Sequence, residues 1–422
     1  MKESKLIRIA LAVGAALLAF AIFSDRTLAA DDDDAIHKRI LKLNSVTGNE
    51  AMQAQFKELV KDSAGTKKML KVADEWAKEK KDKIHYNAAY ILGLAALQLK
   101  DLDIAADLFQ VCSDEATKLK SANKLEQSFN GQLSVLLQQK KYDEAEKLCL
   151  KMLEIDGDER VKQFQILDVQ KRLILITAKQ GKIDEALKMT DKILSNDNEI
   201  LNWYFGEVKG GVLQEAGRYK EAAEAFTDVL TKLEKSELLK PEEKESEIDR
   251  MRYLLSGVYI EMNDVDKCAE QLQALLKKHP DNATYNNDLG FVWADHNKNL
   301  DEAEKMIRKA IEEDRKQRKE NAADFTPDED KDNAAYIDSL GWVLFKKKQY
   351  AEAKKYLLEA TKEKDGQHVE ILDHLADVHM ALGEKDQAIA TWKKALDTDP
   401  DTKRDHKRME EIRKKLKAAQ GK

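Results

Sequence analysis

From Val369 to Thr402 the chain carries one 34-residue pattern that two short helices satisfy only by packing together and against further copies of themselves. Counting Val369 as position 1, Leu372, Leu375 and Ala376 stand at positions 4, 7 and 8, and Gly383 at 15. Ala388, Trp392 and Ala395 follow at 20, 24 and 27, and Pro400 at 32. These spacings put the apolar residues on one face of each helix, with Gly383 and Pro400 as the stop signals. The small residues stand where two antiparallel helices approach to roughly 8–10 Å between axes, and the large ones fill the space beside them. Neither helix buries its apolar face alone, so the unit requires neighbours of its own kind.

Copies extend back along the chain. Ala334 starts one with Leu340, Gly341, Ala353, Leu357 and Ala360; Ala283 starts another with Leu289 and Gly290, its loop one residue longer so that Ala303, Ile307 and Ala310 come one place late. Asp249 starts a copy with Leu255, Ser256, Tyr259, Cys268, Leu272 and Pro280, and Trp203 one with Gly217, Tyr219, Ala222 and Phe226. Weaker copies start near Leu167, Glu126 and Tyr86, giving about eight units over residues 86–402. The four prolines agree with this reading, because proline inside a helix costs about 3 kcal/mol. Pro280 and Pro400 fall at position 32, and Pro241 and Pro327 fall in two charged inserts, 237–248 and 317–333, expected as loops or helix extensions.

The pattern of a large residue, Leu and a small residue, then Ala, an aromatic and Ala, then Pro, resembles the tetratricopeptide repeat. The resemblance implies an all-α fold, a right-handed α-solenoid of stacked antiparallel helix pairs, each burying surface mainly against its neighbours. The composition suits such a body, with 36% charged and 42% hydrophobic residues and little proline or glycine. Residues 31–85 are expected to form an N-terminal cap or degenerate repeat, with a helical pair over Ala51–Val60 and Met69–Ala77. Residues 403–422 are expected to form a capping helix, whose Met409, Ile412 and Leu416 make a stripe at helical spacing. That helix is basic, with Lys403, Arg404, Lys407, Arg408, Arg413, Lys414, Lys415 and Lys417. Such a run serves either as a contact for anionic lipid or nucleic acid or as a solvated outer face, and the interruption by Glu410 and Glu411 favours the solvated face.

At the amino end Lys2, Lys5 and Arg8 precede a 15-residue apolar run, Ile9 to Phe23, followed by Thr27, Leu28, Ala29 and Ala30. This reads as a signal peptide over residues 1–30; a retained membrane anchor at residues 9–23 is the alternative. Cleavage after Ala29 removes four positive and two negative charges and moves the formal net charge from -7 to -9. Export speaks against a nucleic-acid partner, and a membrane contact is expected only if the segment is kept. The pair of repeats from Asn286 to Leu357 resembles one common in exported bacterial tetratricopeptide proteins, which implies a periplasmic or cell-envelope scaffold.

No motif for catalysis, metal or cofactor stands out. Cys112, Cys149 and Cys268 sit at packing positions 27, 24 and 20 of different units, without a CxxC pair. Buried thiols are expected, with a Cys112–Cys149 disulfide left open by an oxidising compartment. His374 and His379 are five apart, off the i, i+4 or i, i+3 spacing of a helical zinc pair. No phosphate loop or GxSxG occurs, so neither an enzyme nor a cofactor is expected.

The resemblance implies that the first helix of each hairpin lines the concave binding face through positions 2, 5, 9, 12 and 13. Here these give Arg250 and Tyr253, then Asn287, Phe291 and Asp295, then Asp338, Trp342 and Phe345, then Asp373 and Asp377. Aromatic anchors among carboxylates suit a protein or peptide partner with apolar and basic side chains. The other reading of Trp342 and Phe345 is packing between helices. The family's clamp for C-terminal carboxylates uses lysines and asparagines on this face; position 9 is never Asn in these four copies, so the clamp is not carried over.

Overall fold

The computed structural model describes residues 33–79, 83–196, 198–321, 331–362, 366–400 and 402–421, and all regular structure within them is helical. The leader at residues 1–30 and residues 322–330 of the second insert lie outside the described residues. Among the described residues, no helix is long and apolar enough to cross a membrane. The chain divides into two compact units that meet in sequence between Ala225 and Phe226.

The first unit opens with α1 (Asp33–Leu43), α2 (Asn49–Lys61) and α3 (Ser63–Lys78). In α1 Asp33 and Asp34 occupy the first turn and suit the positive end of the helix dipole. Helical pairs follow: α4 (Tyr86–Gln98) with α5 (Leu102–Leu119), then α6 (Ala122–Gln138) with α7 (Tyr142–Leu153). The next first helix has two parts, α8 (Glu159–Phe164) and α9 (Gln170–Lys179), joined by a π-turn over Gln165–Val169 and paired with α10 (Ile183–Leu194). The π-turn has a visible anchor, since the Gln165 Nε2 donates to the carbonyls of Met152 and Ile155 at 2.7 Å each, at the carboxyl end of α7. α11 (Glu199–Glu215) precedes α12 (Tyr219–Lys235), within which the second unit begins.

In the second unit α13 (Pro241–Glu261) pairs with α14 (Val265–Lys278), α15 (Ala283–Asp295) with α16 (Leu300–Asn321), α17 (Ala334–Lys346) with α18 (Tyr350–Ala360), and α19 (Val369–Ala381) with α20 (Lys385–Leu396); α21 (Lys403–Ala419) closes the chain. The first insert is helical from Pro241, which sits in the first turn of α13, where its missing N–H costs nothing. The second begins as a continuation of α16, whose Arg315 and Arg318 bind Asp332 just before α17.

One backbone device recurs in every hairpin. At the end of each first helix Lys100, Lys140, Gly181, Gly217, Asn263, Asn297, Lys348 and Gly383 adopt positive φ between 54° and 82°. The next residue then donates its N–H back across the turn, as Glu384 does to the His379 carbonyl and Gln349 to that of Leu344 at 2.9 Å each. This left-handed closure satisfies carbonyls that the helix end leaves open. Close packing inside the pairs explains the small residues. A Cβ on Gly290 would lie 2.7 Å from Ile307 and 2.9 Å from the Ala303 carbonyl, and one on Gly341 would lie 2.6 Å from Leu357.

Apolar burial is layered. Within the first unit one cluster joins α1 to α6 and another joins α6 to α9; within the second, one spans α14 to α19 and a smaller one joins α19, α20 and α21. Cys112 and Cys149 lie in different clusters and all three cysteines are free, so the disulfide left open by the sequence does not form. Burial pushes the Cys149 and Cys268 thiols up to about 12.

Candidate functional site

The first helices of the second unit, α13, α15, α17 and α19, carry the residues expected to meet a partner. At the α13 end the face is open. Tyr253 is 38% exposed, its ring centroid 5.5 Å from that of Tyr285, and its hydroxyl donates to Asp288 Oδ2 at 2.8 Å. Burial raises the Asp288 carboxyl above the usual range, against the pull of the Tyr253 and Asn287 donors. Asn287 is buried; its Nδ2 reaches Asp288 Oδ1 at 3.3 Å. Arg250 donates to Glu247 one helical turn earlier. Phe291 is partly exposed, 6.2 Å from the His374 ring.

On α17 the rings form a stack. Trp342, 7% exposed, lies with its ring 3.9 Å from His374 and 4.9 Å from Phe345, nearly parallel to both. Its Nε1 donates to Asp295 Oδ1 at 3.0 Å, and the Lys346 ammonium sits 4.7 Å over its ring. Burial alone would raise the Asp295 carboxyl, but the Trp342 bond and the charges of Lys346 and His374 hold it below the usual range. Trp342 therefore packs between helices, whereas Phe345 remains partly exposed beside Tyr350. Asp338 is buried, with both carboxylate oxygens within 3.1 Å of His374 Nδ1. Burial would lower the His374 pKa, yet Asp338 and Glu370 outweigh burial and Arg408 and raise it above the ordinary 6.5.

At the α19 end the face is already covered by α21. Asp373, 1% exposed, accepts from Trp392 Nε1 at 2.9 Å, from Lys415 at 2.9 and 3.0 Å, and from Arg408 at 3.2 Å. Asp377 accepts from Lys415 at 2.7 Å, and Glu370 from Arg408 at 2.5 Å. Burial tends to lower the Lys415 pKa, but Asp373 and Asp377 raise it above the ordinary lysine value. The basic run is therefore divided: Lys403, Lys407, Lys414 and Lys417 face solvent, while Arg408 and Lys415 turn inward. The solvated-face reading holds for the first group and fails for the second, because buried carboxylates need cations more than water needs those two side chains. Sequence reasoning missed His374, Glu370, Arg408, Lys415 and Lys346 as members of this network. Only the inward-facing carboxylates of α19 hinted that cations had to come from elsewhere.

Two family models described as tetratricopeptide repeat match residues 253–318 and 344–410. The chain is 27% identical over 195 residues to a TPR repeat-containing protein of Pseudomonas aeruginosa; the match covers 46% of this chain and 28% of that relative's length. Among solved structures, it is similar to a tetratricopeptide repeat protein of Parabacteroides merdae, with 15% identity, a TM-score of 0.46, and coverage of 68% of this chain and 97% of that one. It is also similar to yeast Tom70, with 16% identity, a TM-score of 0.43 and 92% of each chain covered. The family matches fall on hairpins of the second unit, and this chain carries tetratricopeptide repeats there.

Proposed function

We propose that this protein is a non-catalytic scaffold of the bacterial cell envelope that binds a protein segment with apolar and basic side chains along the first helices α13, α15 and α17. The observation that carries this reading is the row of accessible rings, Tyr253, Phe291 and Phe345, set among Asp288 and Asp295. Half-exposed aromatic anchors beside carboxylates supply apolar contact area and attract cations. A non-catalytic role is supported by the commitment of the deeper titratable groups: Asp338 pairs with His374, and Asp373 with Arg408 and Lys415. The envelope location rests on the charged start, short apolar run and small residues of segment 1–30. Retention of residues 9–23 would make the protein a membrane-tethered assembly factor, and the mass of the mature amino terminus in the producing cell decides between the two.

The binding face is tested with a photo-crosslinking residue placed at Phe345 in the full chain, against a control at Leu358 on α18, which is 43% exposed. Adducts that form at Phe345 and not at Leu358, and that weaken with Phe291→Ala, are the expected result. Equal adducts at both positions would refute the assignment of this face.

A further inference from the structure

The end of the first-helix face is occupied by the chain's own α21, and the manner of its docking defines what else fits there. Arg408 and Lys415, seven residues and two turns apart, bind Glu370, Asp373 and Asp377 on α19. Between them Met409 and Ile412, with Leu416 beyond, enter the small cluster formed with Leu372, Ala376 and Trp392. The remainder of α21 gives little apolar hold, since its outward side is lysine and glutamate. Among the described residues α21 packs mainly against α19 and α20, and an element with so few neighbours opens at a fraction of the global cost. If α21 leaves, Asp373 loses three of its donated bonds and keeps the one from Trp392, so only a helix that returns cations at the same spacing restores the site.

We infer that α21 is a displaceable resident ligand, and that the surface beneath it on α19 and α20 binds a partner's amphipathic helix with two basic residues seven apart bracketing an apolar stripe. The inference deepens the groove reading and rests on it for the existence of such a partner, but its test places no substitution on α13, α15 or α17. The resident helix lowers the apparent affinity for any competitor in proportion to the time it stays docked.

The probe is a labelled synthetic peptide of residues 402–421, added to the full-length protein. Wild type is expected to bind it weakly, and Arg408→Gln with Lys415→Gln to bind it at least about tenfold more tightly, because the resident helix is loosened while the acceptor surface is intact. Adding Asp373→Asn and Asp377→Asn to that variant is expected to abolish the gain. Hydrogen exchange supplies a readout that needs no variant: saturating peptide should deprotect the α21 amides of wild type and leave those of α17 unchanged. The inference is overturned if α21 stays as protected in the glutamine variant as in wild type. It is equally overturned if α21 loosens and the peptide binds no better, or if the variant instead dimerises with concentration, which would assign the surface to a second copy of α21. In any of those cases the crosslinks at Phe345 still stand or fall separately.

Discussion

Trp342→Ala is the perturbation that most directly separates packing from recognition on this face. The indole is buried between His374 and Phe345 and donates to Asp295, so truncation removes a large apolar surface and one bond to a carboxylate. Large-to-small truncation of a buried tryptophan costs about 3–5 kcal/mol. The bond to a charged acceptor is worth about 1.5–3 kcal/mol by itself, but Asp295 remains within reach of water and Lys346, so most of that is recovered. A net loss of about 4 kcal/mol follows, and at roughly 2–4 °C per kcal/mol for a unit of this size the melting transition of the second unit should fall by about 8–16 °C. Trp342→Phe keeps a stacking ring but loses the N–H and part of the buried indole volume, so about 2 kcal/mol and about 4–8 °C are expected. Calorimetry of the full chain measures the transition, and hydrogen exchange locates it, with α17 and α19 losing more protection than α13. A drop of less than about 3 °C for the alanine variant would refute the packing role, because no exposed side chain costs as much as a buried one. A phenylalanine variant as unstable as the alanine one would refute the division of the cost between stacking and bonding.

Gly290→Ala should destabilise by about 1–3 kcal/mol, since the added methyl meets the Ala303 carbonyl, which is backbone and cannot swing aside; a denaturant midpoint equal to wild type would contradict this. Lys348→Gly should stabilise by up to about 1 kcal/mol by relieving a left-handed lysine at φ 63°, read from the same denaturation curves. The His374 pKa is raised in the folded state, so its contribution is fully present below the ordinary 6.5 and fades as pH rises through the folded value. The melting temperature of the second unit should therefore fall as pH rises above about 6.5, and His374→Gln should flatten that slope. Native thiol labelling should leave Cys112, Cys149 and Cys268 unmodified until denaturant is added, because all three are buried and uncharged at neutral pH.

The hairpins were legible in the sequence because everything that makes one lies within 34 residues: apolar residues three and four apart, a small residue at the helix contact, and a stop at position 15 or 32. Even there the chemistry was partly hidden. Glycine at Gly181, Gly217 and Gly383 announces a left-handed turn, whereas Lys100, Lys140 and Lys348 adopt the same conformation with no compositional sign. The π-turn at Gln165–Val169 was equally silent, since one amide side chain reaching the end of α7 anchors it. The ring and carboxylate positions of the first helices could be named from periodicity, but their state could not. Whether Trp342 meets solvent depends on His374, 32 residues later, and whether Asp373 and Asp377 are free depends on Lys415, about 40 residues later. Pairings at such separations leave no periodic trace, because a charge on a helix looks the same in sequence whether water or a buried carboxylate receives it. Local spacing determined the repeat; only the stacking of α17, α19 and α21 decided which side chains remain available to a partner.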